Sequence, residues 1–385
     1  MANGNDVYCR YDTNPHIPQR HLGQENYKEG VIMLGYHLKK NVKPIVKHPF
    51  FAFIVFGLVL ILLQILSWTA GFPKSSAMSG IATVLIYSIV GFGFTYLLGY
   101  AGLASLGTAG FTGLGAYIVG YFLRETGVPY IVSILVVLAV SIILGVAVGF
   151  ISLRIEGIFL AIVTLGLSEI LYQIFTNWID FTGGPNGSSA SIPIFQKWLG
   201  LSTTTSKRAM FIGLVVVVVF LMIITFNLCK SSTGRAMLAM KNSTSAAQAM
   251  GISLLRYRLL AFVLSTVYAG IGGIMFMSYL GYASPTNWTL MFSLNLLAAV
   301  IIGGTRSLWG TIVGCFIVFG LTPIFFQDIA FLRDNSWFMY ALIGVLIILI
   351  IMFYQGGLVQ LVRDIKNGIK KARAKRRLYR YGEEE

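Results

Sequence analysis

The sequence predicts an all-α polytopic membrane protein with about ten transmembrane helices and both termini cytoplasmic. Three observations carry this. First, 56% of the 385 residues are hydrophobic and only 11% are charged, against about 25% charged in soluble domains. Second, apolar runs long enough to cross about 30 Å of hydrocarbon recur along the whole chain. Third, if the amino terminus is placed inside, 23 of the 29 lysines and arginines fall on the inner side and 6 on the outer. Basic residues are retained on the cytoplasmic side, so this asymmetry fixes the expected orientation.

Residues 1–48 form a basic, polar cytoplasmic segment, and no secretory signal peptide is expected. All four histidines (His16, His21, His37, His48) lie in it, so none is available inside a span as a proton relay or metal ligand. The transmembrane domain covers 49–355, with hydrophobic segments at 49–68, 80–98, 106–123, 130–152, 157–178, 209–228, 257–280, 289–303, 308–326 and 338–355. An external loop is expected over 179–208 and a cytoplasmic loop over 229–256. In the latter, Met237, Met240, Thr244 and Ala247 recur at helical spacing, with Gly251 where a helix stop belongs. The basic tail 356–385 is read as a membrane-surface anchor rather than a nucleic-acid site, because its charge sits beside a span. Cys9, Cys229 and Cys315 are too scattered for a disulfide framework.

Residues 91–120 hold nine glycines, densest over 99–110, where a broken helix or re-entrant turn is expected. Ser105 and Thr108 belong to that stretch and are candidate pathway residues. Gly145 with Gly149, and Gly310 with Gly314, read as close-packing pairs. Glu169 is the one acidic residue near the middle of a span. Its insertion cost, about 2.5–3.5 kcal/mol, should turn it to the bundle interior. Gln173 and Thr176 share its face, and the stripe is read as a substrate pathway or an interhelical hydrogen bond. Asn295 is a second polar group inside a span, open to the same two readings. No Gly-Lys dipeptide occurs, so there is no Walker A phosphate loop, and nothing resembles a nucleophile, base or metal constellation. The chain is expected to be no enzyme on its own, without cofactors.

Several stretches together resemble the permease subunits of branched-chain amino-acid ABC importers, the Liv family. They are LGYAGLASLGTAGF at 98–111, LRIEGIFLAIVTLG at 153–166 and TGGPNG at 182–187. Gly234-Arg235-Ala236, AAQAMGI at 246–252, RYRLLAF at 256–262 and GGTRSLWG at 303–310 complete the series, which runs from about 80 to 360. Thr108 stands where the family often has histidine, and Lys241-Asn242-Ser243-Thr244 lacks the acid common there. The resemblance implies a multi-pass permease in a bacterial or archaeal plasma membrane that works by alternating access. It implies a second homologous permease subunit, two ATP-binding subunits on the cytoplasmic side and an extracytoplasmic amino-acid-binding protein delivering leucine, isoleucine or valine. Arg235, Met237, Met240, Lys241, Ala247, Met250 and Gly251 would then couple to the ATPases. Alternatives are an ABC permease for urea or another small solute, an ion-coupled secondary transporter using Glu169, and a structural scaffold.

Overall fold

The computed structural model describes residues 49–69, 75–126, 128–152, 158–190 and 203–324, with scattered positions between 341 and 367. The 1–48 segment, residues 191–202 of the external loop, most of the 338–355 segment and most of the basic tail lie outside the described residues. The chain forms two compact units, Met1–Ile54 and Val55–Glu385. Of the first, only the beginning of helix α1 (Pro49–Thr69) is described.

The described residues are almost wholly helical, as an apolar solvent demands, since a helix satisfies its own backbone. After α1 come α2 (Ser75–Phe94), α3 (Thr108–Tyr121), α4 (Tyr130–Ser152), α5 (Ile158–Asn177) and α6 (Thr203–Lys230). Two short helices follow, α7 (Ser232–Asn242) and α8 (Thr244–Ala249), then α9 (Leu254–Leu280), α10 (Leu290–Gly303) and α11 (Leu308–Cys315). Three helices change pitch at their ends: π-helical turns Thr95–Ala101, Phe122–Thr126 and Phe316–Gly320 continue α2, α3 and α11.

Six helices are long and apolar enough to cross a bilayer among the described residues. The segments expected at 289–303 and 308–326 are helical over Leu290–Gly303 and Leu308–Ile324, shorter than those six, and a tight turn joins them into a hairpin. Gly303 and Gly310 face each other so closely that a Cβ on either would run into the other's carbonyl, and Gly314 lies against the Ala299 carbonyl. The Gly310–Gly314 pair is thus a packing seam, as its spacing predicts.

The core is built around α9, which packs against α2, α3 and α4. Its small residues Ala261, Ser265, Ala269, Gly270, Gly272 and Gly273 are all buried and admit other backbones at close range. Gly145 and Gly149 of α4 seat against Val263–Thr266 and Leu259–Phe262. Gly93 of α2 meets Ser265 and Tyr268, and Gly272 meets Val90, so α2 runs antiparallel to α9. Gly115 of α3 meets Gly270, and Gly120 meets Met277, so α3 runs parallel to it. Hydroxyl pairs stitch the spans: Thr95 to Thr311 at 2.7 Å, Tyr130 to Ser278 at 2.7 Å and Thr225 to Tyr268 at 2.8 Å.

Lipid-facing surface is identified by exposed aliphatics such as Leu58, Leu62, Leu135, Ile143 and Val216. Helix α6 carries a cation over an aromatic ring near each end, Arg208 over Trp68 at 5.5 Å and Lys230 over Phe226 at 4.1 Å. At 1.5 Å per residue these cations stand about 33 Å apart, close to the thickness of the hydrocarbon core.

Candidate translocation and coupling sites

The glycine-rich stretch is a broken helix, as expected. The π-helical end of α2 stops at Gly102, which adopts φ 73° and sends its N–H to the Leu97 carbonyl. Residues 102–107 are non-helical, and α3 restarts at Thr108. From its register on α9, α3 begins about 15 Å inside the end of that helix. Non-helical backbone at such depth must find partners within the protein. The Leu106 and Gly107 amides donate to Thr164 Oγ1 at 2.9 Å and Ser105 Oγ at 3.3 Å. The Ala109 and Gly110 amides, in the first turn of α3, donate to Ser293 Oγ at 3.0 Å and Ser168 Oγ at 3.2 Å. Hydroxyls from α5 and α10 therefore satisfy the donors a helix start leaves open.

Thr164 and Ser168 stand at i and i+4 and, with Leu171 and Phe175, form the buried face of α5. This corrects the expectation for Glu169. The inward face of α5 is taken up by α3, so Glu169 and Gln173 lie on the opposite side, exposed on the surface of the chain. There Gln173 Nε2 donates to Glu169 Oε1 at 3.3 Å, and Asn177 Nδ2 donates to the Gln173 carbonyl at 2.8 Å. They line an open groove of about 880 Å³ with Leu165, Gly166, Ile170 and Trp178. Thr176 is half-buried and donates to the Tyr172 carbonyl at 2.9 Å, outside that ladder. Asn295 is exposed on α10 among Met291 and Leu294. Of the six pathway candidates, Ser105 and Thr108 are buried at the break, Glu169, Gln173 and Asn295 face outward, and Thr176 is half-buried. Thr164, Ser168 and Ser293, which hold the break by hydrogen bonds, are not among the candidates that the sequence offers. Their signal was hydroxyls at helical spacing inside apolar helices.

At the end of the bundle where α9 begins, the expected single coupling helix is two. Ser243 interrupts it with φ −158° and ψ 113° and caps α8 by accepting the Ala246 amide at 3.3 Å. Asn242, Ser243 and Thr244 compete locally for backbone groups, which favours a cap over a helix interior. Gly251 ends α8 at φ 78°, as its position predicts. Met237, Met240 and Ala247 are buried and anchor α7 and α8 to the chain, so they do not face outward. Arg235 is exposed and donates to the Lys230 carbonyl at 2.9 Å, and Met250 is 85% exposed. Gln248, Ile252, Leu255 and Arg258 line a groove of about 630 Å³ beside it. Lys241, exposed along much of its length, reaches the broken end of α2, where partial desolvation and, secondarily, the charge of Arg306 pull its pKa below the ordinary lysine value.

At the other end, Thr182-Gly183-Gly184-Pro185-Asn186-Gly187 forms a rigid turn. Thr182 Oγ1 donates to the Phe175 and Trp178 carbonyls and accepts from the Gly184 amide at 3.1 Å. A Cβ on Gly183, at φ 78°, would overlap the Gly187 carbonyl. The turn leads into β1 (Ser188–Ser189), paired antiparallel with β2 (Tyr282–Ala283). Arg124 clamps it through Ser188 Oγ at 3.2 Å and the Asp180 carbonyl at 3.0 Å.

The profile of the family described as "Branched-chain amino acid transport system / permease component" matches residues 76–351, well over half of the chain. The chain belongs to that family. It is 30% identical over 339 residues to the high-affinity branched-chain amino acid transport system permease protein LivM of Escherichia coli K12, covering 82% of this chain and 78% of LivM. The Enterobacter autoinducer 2 import system permease protein LsrC is 30% identical over 68% of this chain and 73% of its own length. The Rhizobium meliloti fructose import permease protein FrcC is 27% identical over 71% and 75%. No solved structure matches. As a permease of this family with six full spans among its described residues, the chain is a multi-pass protein of the plasma membrane.

Proposed function

We propose that this permease is one of two pore-forming subunits of an ABC importer for leucine, isoleucine and valine. The observation that carries the reading is the exposed Glu169–Gln173 ladder in the middle of an apolar span. A carboxylate turned toward lipid is costly, so that face of α5 calls for a protein cover. A second, homologous permease supplies it, and the groove along α5 becomes one wall of a route between the two chains. Likeness to LivM over most of both chains supports the substrate class.

Separate ATPases energise the cycle, in keeping with a sequence that has no Gly-Lys phosphate loop. They dock on α7 and α8 around Arg235, Met250 and Gly251, on the cytoplasmic side assigned by the basic residues. The Thr182 turn presents a fixed external surface to an amino-acid-binding protein. Alternating access then proceeds around the α5 groove and the break at Ser105 and Thr108.

The test is reconstitution of the chain with its partner permease, ATPases and binding protein in proteoliposomes. Radiolabelled leucine should accumulate only with internal ATP. Leucine accumulation by this chain alone under a proton or sodium gradient would sink the reading. Unlabelled fructose, which FrcC is named for, should not compete.

A further inference from the structure

Lys241 lies in the last turn of α7, and its side chain crosses to the broken end of α2. Its Nζ donates to the carbonyl of Leu98 at 2.9 Å and to that of Gly99 at 3.0 Å. These two carbonyls need a partner for a definite reason. At the end of the π-helical turn, both returning amides, Gly102 N–H and Leu103 N–H, go to the carbonyl of Leu97. Leu98 and Gly99 are left as the orphan acceptors of a helix end, where the backbone dipole also favours a cation. The lysine stem runs past Gly102. Its Cγ would stand 2.9 Å from a Cβ on Gly102, whose φ of 73° also favours glycine. Gly99 in turn is pressed against the Thr305 carbonyl of the α10–α11 turn.

The loop helix and the end of the broken span therefore meet at one ammonium group, and the α10–α11 turn packs against the same span end at Gly99. Two residues beyond Gly99 and Tyr100 the chain leaves helical geometry and runs through Ser105 to Thr108. Helix α7 is anchored to the chain by buried Met237 and Met240, and it lies directly before the kink at Ser243. We propose that Lys241 is a positioning residue that ties the loop helices to the break at 102–107, so that displacement of α7 is transmitted to the backbone leading into α3. This deepens the importer reading and rests on it for the origin of the displacement.

Two measurements on Lys241→Met and Lys241→Arg test the proposal. In the purified full chain, Lys241→Met should speed amide exchange across 98–110 by about tenfold, the weight of a lost charge-assisted hydrogen bond. Lys241→Arg, which keeps a cation with several donors, should stay near wild type. In the reconstituted importer, Lys241→Met should lower leucine taken up per ATP hydrolysed while leaving hydrolysis running, and Lys241→Arg should restore the ratio. Unchanged exchange overturns the link. Faster exchange with an intact uptake ratio also overturns it, and reduces Lys241 to a helix cap. A wild-type complex without ATP-driven uptake is a different failure, that of the importer reading, and removes the transmission with it.

Discussion

Single residues divide the burden between stability and transport, and the division can be measured. Glu169 costs about 2.5–3.5 kcal/mol on insertion scales if it stays unpartnered in a span. Glu169→Leu should therefore raise the thermal stability of the isolated chain while lowering leucine uptake by the reconstituted importer. Uptake unchanged by Glu169→Leu would remove the α5 groove from the route. Ser168 and Ser293 act in the opposite sense. Each accepts an amide at the buried start of α3, and leaving a buried donor unsatisfied costs about 1–3 kcal/mol. Ser168→Ala and Ser293→Ala should each lower the melting temperature in detergent, and the double variant should lower it further. Glu169 itself was legible in the sequence, but its direction was not. Which side of α5 is inward depends on where α3 packs, and no single-helix pattern carries that.

For whole elements, glycine contacts decide what can change. Gly273 in α9 meets the Thr112 carbonyl and the Ala116 amide, so an added methyl has no room. Gly213 in α6 has nothing within 4 Å. Gly273→Ala should destabilise the chain by about 1–3 kcal/mol as an overpacked site, whereas Gly213→Ala should stabilise it by up to about 1 kcal/mol through helix propensity. A thermal-shift comparison checks both. The hydrophobic segments themselves were readable from composition and length, and nine of the expected ten coincide with described helices. The break at 102–107 was readable from glycine density. What escaped was the split between α7 and α8, because Met237, Met240 and Ala247 keep helical spacing across a serine that caps instead of continuing. The bounds of the α10–α11 hairpin match the expected 289–303 and 308–326, but apolar composition does not say whether such short runs cross or fold back.

Taken as a whole, the molecule has two differently built ends. One holds α7, α8 and the start of α9, rich in lysine and arginine; the other holds the Thr182 turn and the β1–β2 pair. In a chain stripped of its three natural cysteines, Ser189→Cys should react with an impermeant maleimide in intact cells. Ser245→Cys should react only after permeabilisation. The reverse pattern would overturn the orientation read from the charge distribution. The hydroxyl lining of the break bears on the cargo as well. Four of the five amide donors over 106–110, all but that of Thr108, are already engaged by neighbouring hydroxyls. A carboxylate at that depth finds the Thr108 amide and hydroxyl without partners and the neighbouring donors taken. On the route proposed above, the break would thus offer an amino-acid carboxylate a small donor set centred on Thr108, which favours throughput over tight binding at that depth.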